Sequence, residues 1–316
     1  MNGLKSKTKP TQNATIRQHF SHSLQNYKIL KKIVIFGVGL IGGSLALALK
    51  KKYPDLHVVG VGRQPEHLKT ALDLGVIDEA TADIASALDH ADASIVAAPV
   101  AQTDQILRAI KPHLQAQTIV TDVGSTKISV ILSAKRILDE KFSQFIGGHP
   151  IAGAEKSGAA AAKADLFIDK NVVLTPTNET PAWVHDAVTL LWQDCGANVT
   201  QMTAHQHDEI FANVSHLPHL LAFALVDDIA NHPNAAELFS FAASGFRDFT
   251  RIAGSHPEMW RDISLANQSS LLDALTRYQN TLSAIKILLE NKDAEGLQAL
   301  FERASAARNA WAATQK

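Results

Sequence analysis

His149 stands in Gly147-Gly148-His149-Pro150, where two glycines let the chain approach a ligand and the proline stiffens the segment after it. A histidine that is neutral near physiological pH can accept a proton from a hydroxyl while hydride leaves the same carbon. A second group is cationic. Arg247 and Arg251 lie one helical turn apart after Ser244-Gly245, and a guanidinium fork is shaped for a carboxylate. Both arginines could instead pair with Asp248, Asp262 or other acids, and that alternative weighs more on Arg247. The third group is Gly37-Val38-Gly39-Leu40-Ile41-Gly42, between an apolar run and a helical stretch from Gly43 to Lys50. Gly37 permits a tight turn, Gly39 lets the backbone approach a pyrophosphate, and Gly42 lets helix and strand pack closely. The free N–H groups of the helix start then face the phosphates.

Such residues work together only if the fold brings them to one edge. From Lys32 to about Met202, β-rich runs alternate with helical stretches. The runs are Ile33–Phe36, His57–Val61, Ala93–Ala97, Thr118–Thr121, Phe145-Ile146, Asn171–Leu174 and Asn198–Thr200. Near-continuous apolar strands separated by helices predict an α/β fold of Rossmann type, with a doubly wound parallel sheet. Ligands of such sheets lie outside the carboxyl ends of the strands. Ala97-Ala98-Pro99, Asp122–Lys127 and the His149 segment all fall at predicted strand ends. Cofactor contacts are therefore expected at Gly37, Gly39, Leu40, Ile41, Gly42, Ala98, Pro99 and Asp122. The second strand runs into Gly60-Val61-Gly62-Arg63-Gln64 without an Asp or Glu to bind the adenosine ribose. Gly62 leaves room for a 2′-phosphate and Arg63 can pair with it, which predicts NADP in preference to NAD.

After Thr203 the strands stop and helical periodicity continues, broken at His232-Pro233, Gly245 and Gly254–Pro257. Ser255 and Glu258 have capping-box spacing, with Pro257 inside the first turn of the next helix. Leu275, Tyr278, Leu282, Ile285 and Leu289, then Leu300, Ala304, Ala307 and Trp311, form narrow apolar stripes. They suit either an intrachain bundle core or a homodimer interface, and the size of this half favours the homodimer. The expected division is a basic tail at 1–30, a dinucleotide-binding domain at 31–202, and an all-α substrate and dimerisation domain at 203–316.

Composition narrows the function classes. The 316 residues are enough for two cores, with 46% hydrophobic and 19% charged residues. A net charge of −1 argues against nucleic acid or an anionic membrane as the main partner. The single cysteine, Cys195, fits a reducing compartment and a cytoplasmic location. No apolar run of about 18 residues suggests a membrane span. His205, His207, His216 and His219, beside Asp208 and Glu209, invite a zinc reading, but no cysteine joins them and no closed ligand spacing appears, so no metal is expected.

Taken together, the sequence resembles the prephenate/arogenate dehydrogenase family of tyrosine biosynthesis. The resemblance runs through Gly37–Ser44, Asp122–Lys127, Gly147–Gly158, Ser215–His219, Ser244–Ala253 and Met259–Asp262. It implies NAD(P)-dependent oxidative decarboxylation of a cyclohexadienyl carboxylate bearing a ring hydroxyl. His149 then handles the hydroxyl proton and Ser125 helps to hold that hydroxyl. Arg251 binds a substrate carboxylate, His219 lines the pocket, and Trp260 lies near the substrate side chain. Glu155 pairs with the substrate arginine and gates the site. A 3-hydroxyacid dehydrogenase, which commonly uses a lysine in its helical half, and a nonenzymatic dinucleotide sensor are the competing readings. Prephenate and arogenate differ only in a keto or amino side chain, and Ala154 leaves that choice open. Nothing resembles a fused chorismate mutase or a C-terminal regulatory domain.

Overall fold

The computed structural model describes residues 30–154 and 156–314; the rest of the basic tail and Glu155 lie outside the described residues. Contacts divide the chain into two units. The first takes in the described residues up to Ala98, then Gln102–Gly124 and Ser133–Met202. The second takes in Pro99–Ala101, Ser125–Leu132 and the described residues from Thr203 onward. A division at 203 alone would leave both short connectors, and with them Pro99 and Ser125, in the first unit.

The first unit is built on an eight-stranded sheet in the order β3-β2-β1-β4-β5-β6-β7-β8. Its strands are β1 (Lys32–Phe36), β2 (His57–Val61), β3 (Glu79–Thr81), β4 (Ala93–Val96), β5 (Ile119–Asp122), β6 (Phe145–Pro150), β7 (Asn171–Thr175) and β8 (Asn198–Gln201). Ile33 to Phe36 and Ala93 to Val96 are buried throughout, as strands covered on both faces must be. Helices α1 (Leu40–Lys52), α2 (Pro65–Asp73), α3 (Ile84–Leu88), α4 (Thr103–Ile110), α5 (Ile128–Leu138) and α6 (Ala182–Asp194) accompany the strands together with short 3₁₀ turns, α5 beginning in the Ser125–Leu132 connector of the second unit. Strand order reverses at β1, between β2 and β4, which is where such sheets bind dinucleotides. Phe167 and Trp192 meet edge to face at 5.2 Å in the core. Burial pushes the Cys195 thiol up to about 12, so it stays protonated and unreactive.

Two features differ from the sequence expectation. β3 is a three-residue edge strand, Glu-Ala-Thr, too short and too polar to show a period. β6 continues through Pro150, because β7 runs antiparallel beside it and pairs Gly147 with Thr175 and His149 with Val173. The parallel neighbour β5 pairs only with Phe145 and Ile146. His149 is therefore carried inside a strand that outruns the parallel sheet, rather than in a turn at its end.

The second unit is helical: α7 (Ala204–Phe211), a π-helical turn (Ala212–His216), α8 (Leu217–Ala230), α9 (Ala235–Ser240), α10 (Ser244–Thr250), a 3₁₀ turn (Arg251–Gly254), α11 (Pro257–Ala266), α12 (Gln268–Glu290) and α13 (Ala294–Ala313). A capping box of Thr203 and Gln206 starts α7. The box expected of Ser255 and Glu258 does not form. His256 occupies the cap position of α11 without a side-chain bond, and Glu258 lies 3.5 Å from Arg261 instead. The π turn joins α7 and α8, so Ala204–Ala230 forms one helix long and apolar enough to cross a membrane by length and composition alone. The sequence obscures this run because His207, Asp208, His216 and His219 interrupt it. The first three are buried, and each takes part in polar contacts within the unit. A small core gathers Ala212, Leu217, Leu271 and Ala274. Farther along, Leu282, Leu289 and Trp311 are about half exposed or more and Ala304 and Ala307 are exposed, so most of the predicted stripe is not covered by the described residues.

Candidate active site

In the first unit, the three fingerprint glycines have different reasons to be glycine. Gly37 has φ +98°, and a Cβ there would lie 2.7 Å from the Ala97 carbonyl oxygen. A Cβ on Gly42 would lie 2.4 Å from the Gly37 carbonyl oxygen. Around Gly39, apart from its two chain neighbours, no described residue comes within 4 Å of such a Cβ. The protein itself requires the first and last glycines, whereas the open space at Gly39 fits close approach by a ligand. Gly39 is also the cap residue of α1, with no side chain bonded there and no acid in the first turn. Leu40 and Ile41 therefore open a helix whose positive end is not neutralised locally, the arrangement a pyrophosphate needs. Ala98 is half-buried past the end of β4, while Gly62 and Arg63 are exposed just after β2.

Asp122 frames the next part. It is 2% exposed, and its carboxylate accepts hydrogen bonds from the Gly124 N–H at 2.8 Å and the Gly148 N–H at 3.1 Å. Gly148 must be small, because a Cβ would meet the Asp122 carbonyl oxygen at 2.8 Å. One acid thus holds the turn after β5 and the strand position before His149, which is half-buried.

In the second unit, Asp208 is fully buried and its carboxylate receives the Lys127 N–H at 2.7 Å and the Ile128 N–H at 2.9 Å. These donors belong to the start of α5, where helix N–H groups lack internal partners. His207 Nδ1 meets the same carboxylate at 2.8 Å. Asn267 Nδ2 donates to the Asp208 main-chain carbonyl at 2.8 Å and faces His216 Nδ1 at 3.0 Å.

His219 donates from Nδ1 to the Ser215 carbonyl at 2.9 Å, which leaves Nε2 as an acceptor in the neutral ring. Burial holds its pKa below the usual histidine value; the Ser215 bond opposes this, and nearby Arg251 adds to the lowering. The Trp260 ring stacks on His219, with centroids 3.6 Å apart and planes at 19°. Among the described residues, Trp260 Nε1 and His216 Nε2 are both buried with no partner in full hydrogen-bond geometry, the Ser125 backbone being the group His216 interacts with. His216 is pushed down to about 4, chiefly by burial, with a smaller upward influence from Asp208 and from the Ser125 backbone.

The second unit thus gathers Ser125, His219, Trp260 and Arg251, all expected from the sequence, around His216 and Asn267, which were not. Arg251 and Arg247 are exposed. Asp262, one acid expected to engage them, is taken by Arg261 at 2.7 Å. His216 was visible only as a member of the histidine cluster, and Asn267 had no signal at all. Among the described residues, no three His, Cys, Asp or Glu side chains gather as a metal-holding group.

A glycine turn at the switch point of a parallel sheet, joined to a helical unit presenting imidazole, indole and guanidinium groups, defines a dinucleotide-dependent oxidoreductase of small molecules. Residues 45–201 match the family model described as prephenate dehydrogenase, nucleotide-binding domain, and residues 203–303 match prephenate dehydrogenase, dimerization domain. The prephenate dehydrogenase of Bacillus subtilis is 38% identical over 90% of this chain and 77% of its own length. The cyclohexadienyl dehydrogenase of Zymomonas mobilis is 34% identical over 89% of this chain and 96% of its own. Among solved structures, the A. aeolicus prephenate dehydrogenase in complex with hydroxyphenyl propionate and NAD+ superposes with a TM-score of 0.84 and 36% identity, covering 90% of this chain and 98% of that one. Synechocystis arogenate dehydrogenase gives a TM-score of 0.75 and 31% identity, covering 89% and 99%. The chain belongs to the prephenate dehydrogenase family and is an NAD(P)-dependent oxidoreductase.

The glycine geometry separates two substitutions. Gly39→Ala should cost under about 1 kcal/mol of fold stability, the scale of a lost cap preference, and weaken dinucleotide binding at least about tenfold, the scale of one lost phosphate contact. Gly42→Ala should cost about 2 kcal/mol or more through overpacking. Urea unfolding and dinucleotide titration of both variants check this.

Proposed function

We propose that the chain oxidatively decarboxylates prephenate, arogenate or both, forming 4-hydroxyphenylpyruvate or tyrosine in tyrosine biosynthesis. The observation that carries this reading is coverage: both halves match the two domains of one family, and curated relatives align over about nine tenths of the chain. The bound nicotinamide supplies the hydride acceptor. His149 accepts the hydroxyl proton as hydride leaves the carbinol carbon. The ring C–CO₂ bond then breaks, its electron pair completes the aromatic ring, and the oxygen regains a proton as a phenol. Atoms and electrons balance with one hydride transferred and one carbon dioxide released.

Ser125 holds the reacting hydroxyl. Arg251 binds a substrate carboxylate, a role its exposed guanidinium can fill when ligand arrives. His219, fixed as an acceptor at Nε2, and Trp260, stacked on it, line the pocket for the substrate side chain. Arg247, one helical turn before Arg251, adds a second cation for the carboxylate, and by resemblance Glu155 pairs with the substrate arginine and gates the site. The first-turn residues Leu40 and Ile41, with Gly37, Gly39 and Gly42, cradle the pyrophosphate; Ala98, Pro99 and Asp122 border the cofactor, Asp122 by fixing the turn after β5. Exposed Gly62 and Arg63, with no acid beside them, support NADP over NAD. The uncovered apolar side chains of α12 and α13 and the match to a dimerization domain support a homodimer. A cytoplasmic location suits the single buried thiol.

Initial rates with prephenate and arogenate, each against NAD+ and NADP+, test the reading. Turnover of at least one substrate, with the lower KM for NADP+, is expected. Silence in all four combinations while dinucleotide still binds would contradict it. His149→Asn should lower kcat at least about a hundredfold and leave cofactor affinity intact. Arg251→Ala should raise substrate KM about tenfold or more, since a charge-assisted fork is lost, and an unchanged KM would place the carboxylate clamp elsewhere.

A further inference from the structure

The Asp208 main-chain carbonyl can only accept, so the atom of Asn267 that faces it at 2.8 Å must be the amide nitrogen. That nitrogen has a second hydrogen, and it faces His216 Nδ1 at 3.0 Å. A donor opposite Nδ1 requires a lone pair there, so the proton of the neutral ring sits on Nε2. His216 is 1% exposed and Asn267 3% exposed, so water does not compete for either. Burial also resists a second proton on the ring, which is held down to about 4 against the pull of Asp208.

The result is a buried N–H set toward the Ser125 backbone, whose hydrogen bond favours the protonated ring, although among the described residues no partner meets it in full hydrogen-bond geometry. Its surroundings say what its use is. The Ser125 backbone is near enough to favour the protonated ring, and Trp260 stands edge-on with its centroid 6.1 Å away. Two residues after Ser125, the main chain is already held by the Asp208 carboxylate through Lys127 and Ile128. Asp208 therefore grips this turn with its side chain and, through its carbonyl and Asn267, sets the proton position of the histidine beside Ser125.

We propose that His216 is a positioning residue for the reaction, a fixed Nε2–H donor that holds the Ser125 turn in the orientation its hydroxyl needs. This rests on the proposed function, in which Ser125 holds the reacting hydroxyl. An apolar side chain could fill the same volume, but it would need no amide to choose its proton.

The test compares His216→Gln, whose amide nitrogen reaches the place of Nε2, with His216→Asn, whose amide stops at the place of Nδ1. His216→Gln should keep kcat/KM for the cyclohexadienyl substrate within about threefold, while His216→Asn should lose about thirtyfold, the scale of one lost oriented donor. KM for the dinucleotide and Tm should be the same in both. Equal kcat/KM in the two variants, whether both active or both inactive, would overturn the proposal. Independently of any variant, nitrogen-15 NMR of the histidines in the wild-type protein at neutral pH should show His216 neutral and protonated on Nε2. A proton on Nδ1, or on both nitrogens, would overturn it as well. A wild-type chain that turns over neither prephenate nor arogenate would refute the reaction, whereas the NMR result bears on His216 alone.

Discussion

Asp208 is a carboxylate with no access to water, and such a group is stable only where donors surround it. Those donors are main-chain N–H groups of Lys127 and Ile128 and the ring of His207. The requirement runs both ways. The first N–H groups of α5 need an acceptor from outside their own helix, and Asp208 provides it from within α7 of the same unit. Beside that exchange lie Ser125, two residues before Lys127, and His216, which is reached through Asn267. Removing the carboxylate would leave buried N–H groups unpaired, a larger loss than that of the bonds themselves.

Asp122 plays the corresponding part in the first unit. Both acids look chemical in a sequence, and both bind backbone in the structure. Asp122 fixes Gly124 and Gly148, and so the turn that leads to Ser125 and the strand position before His149. The groups assigned to chemistry are thus neighbours of fixed main chain, which lets a small number of side chains be oriented without long-range strain.

The glycine fingerprint and the apolar strands were legible because their constraints are local: a tight turn, a close helix–strand approach and burial on both faces each demand particular residue types. The helical second half and its exposed seam were legible from the periodicity of Leu282, Leu289 and Trp311. Pairing between distant segments was not. β6 looked two residues long because its continuation depends on antiparallel β7, some twenty residues away in sequence. The helix start at Pro257 lacked the box that Ser255 and Glu258 spell out, while Thr203 and Gln206 formed one with the same spacing, so spacing alone does not decide which cap closes. Asn267 carries no local signature, since an amide between two helices acquires meaning only from the carbonyl and the imidazole that the fold brings to it.

The central claim is that hydride transfer and loss of the ring carboxylate are one coupled conversion. Prephenate labelled with carbon-14 in the ring carboxylate, incubated with the wild-type chain and NADP+, tests it through the ratio of labelled carbon dioxide to reduced cofactor. Coupling predicts equal amounts at every time point. Reduced cofactor without labelled carbon dioxide would identify a simple alcohol dehydrogenase and contradict it.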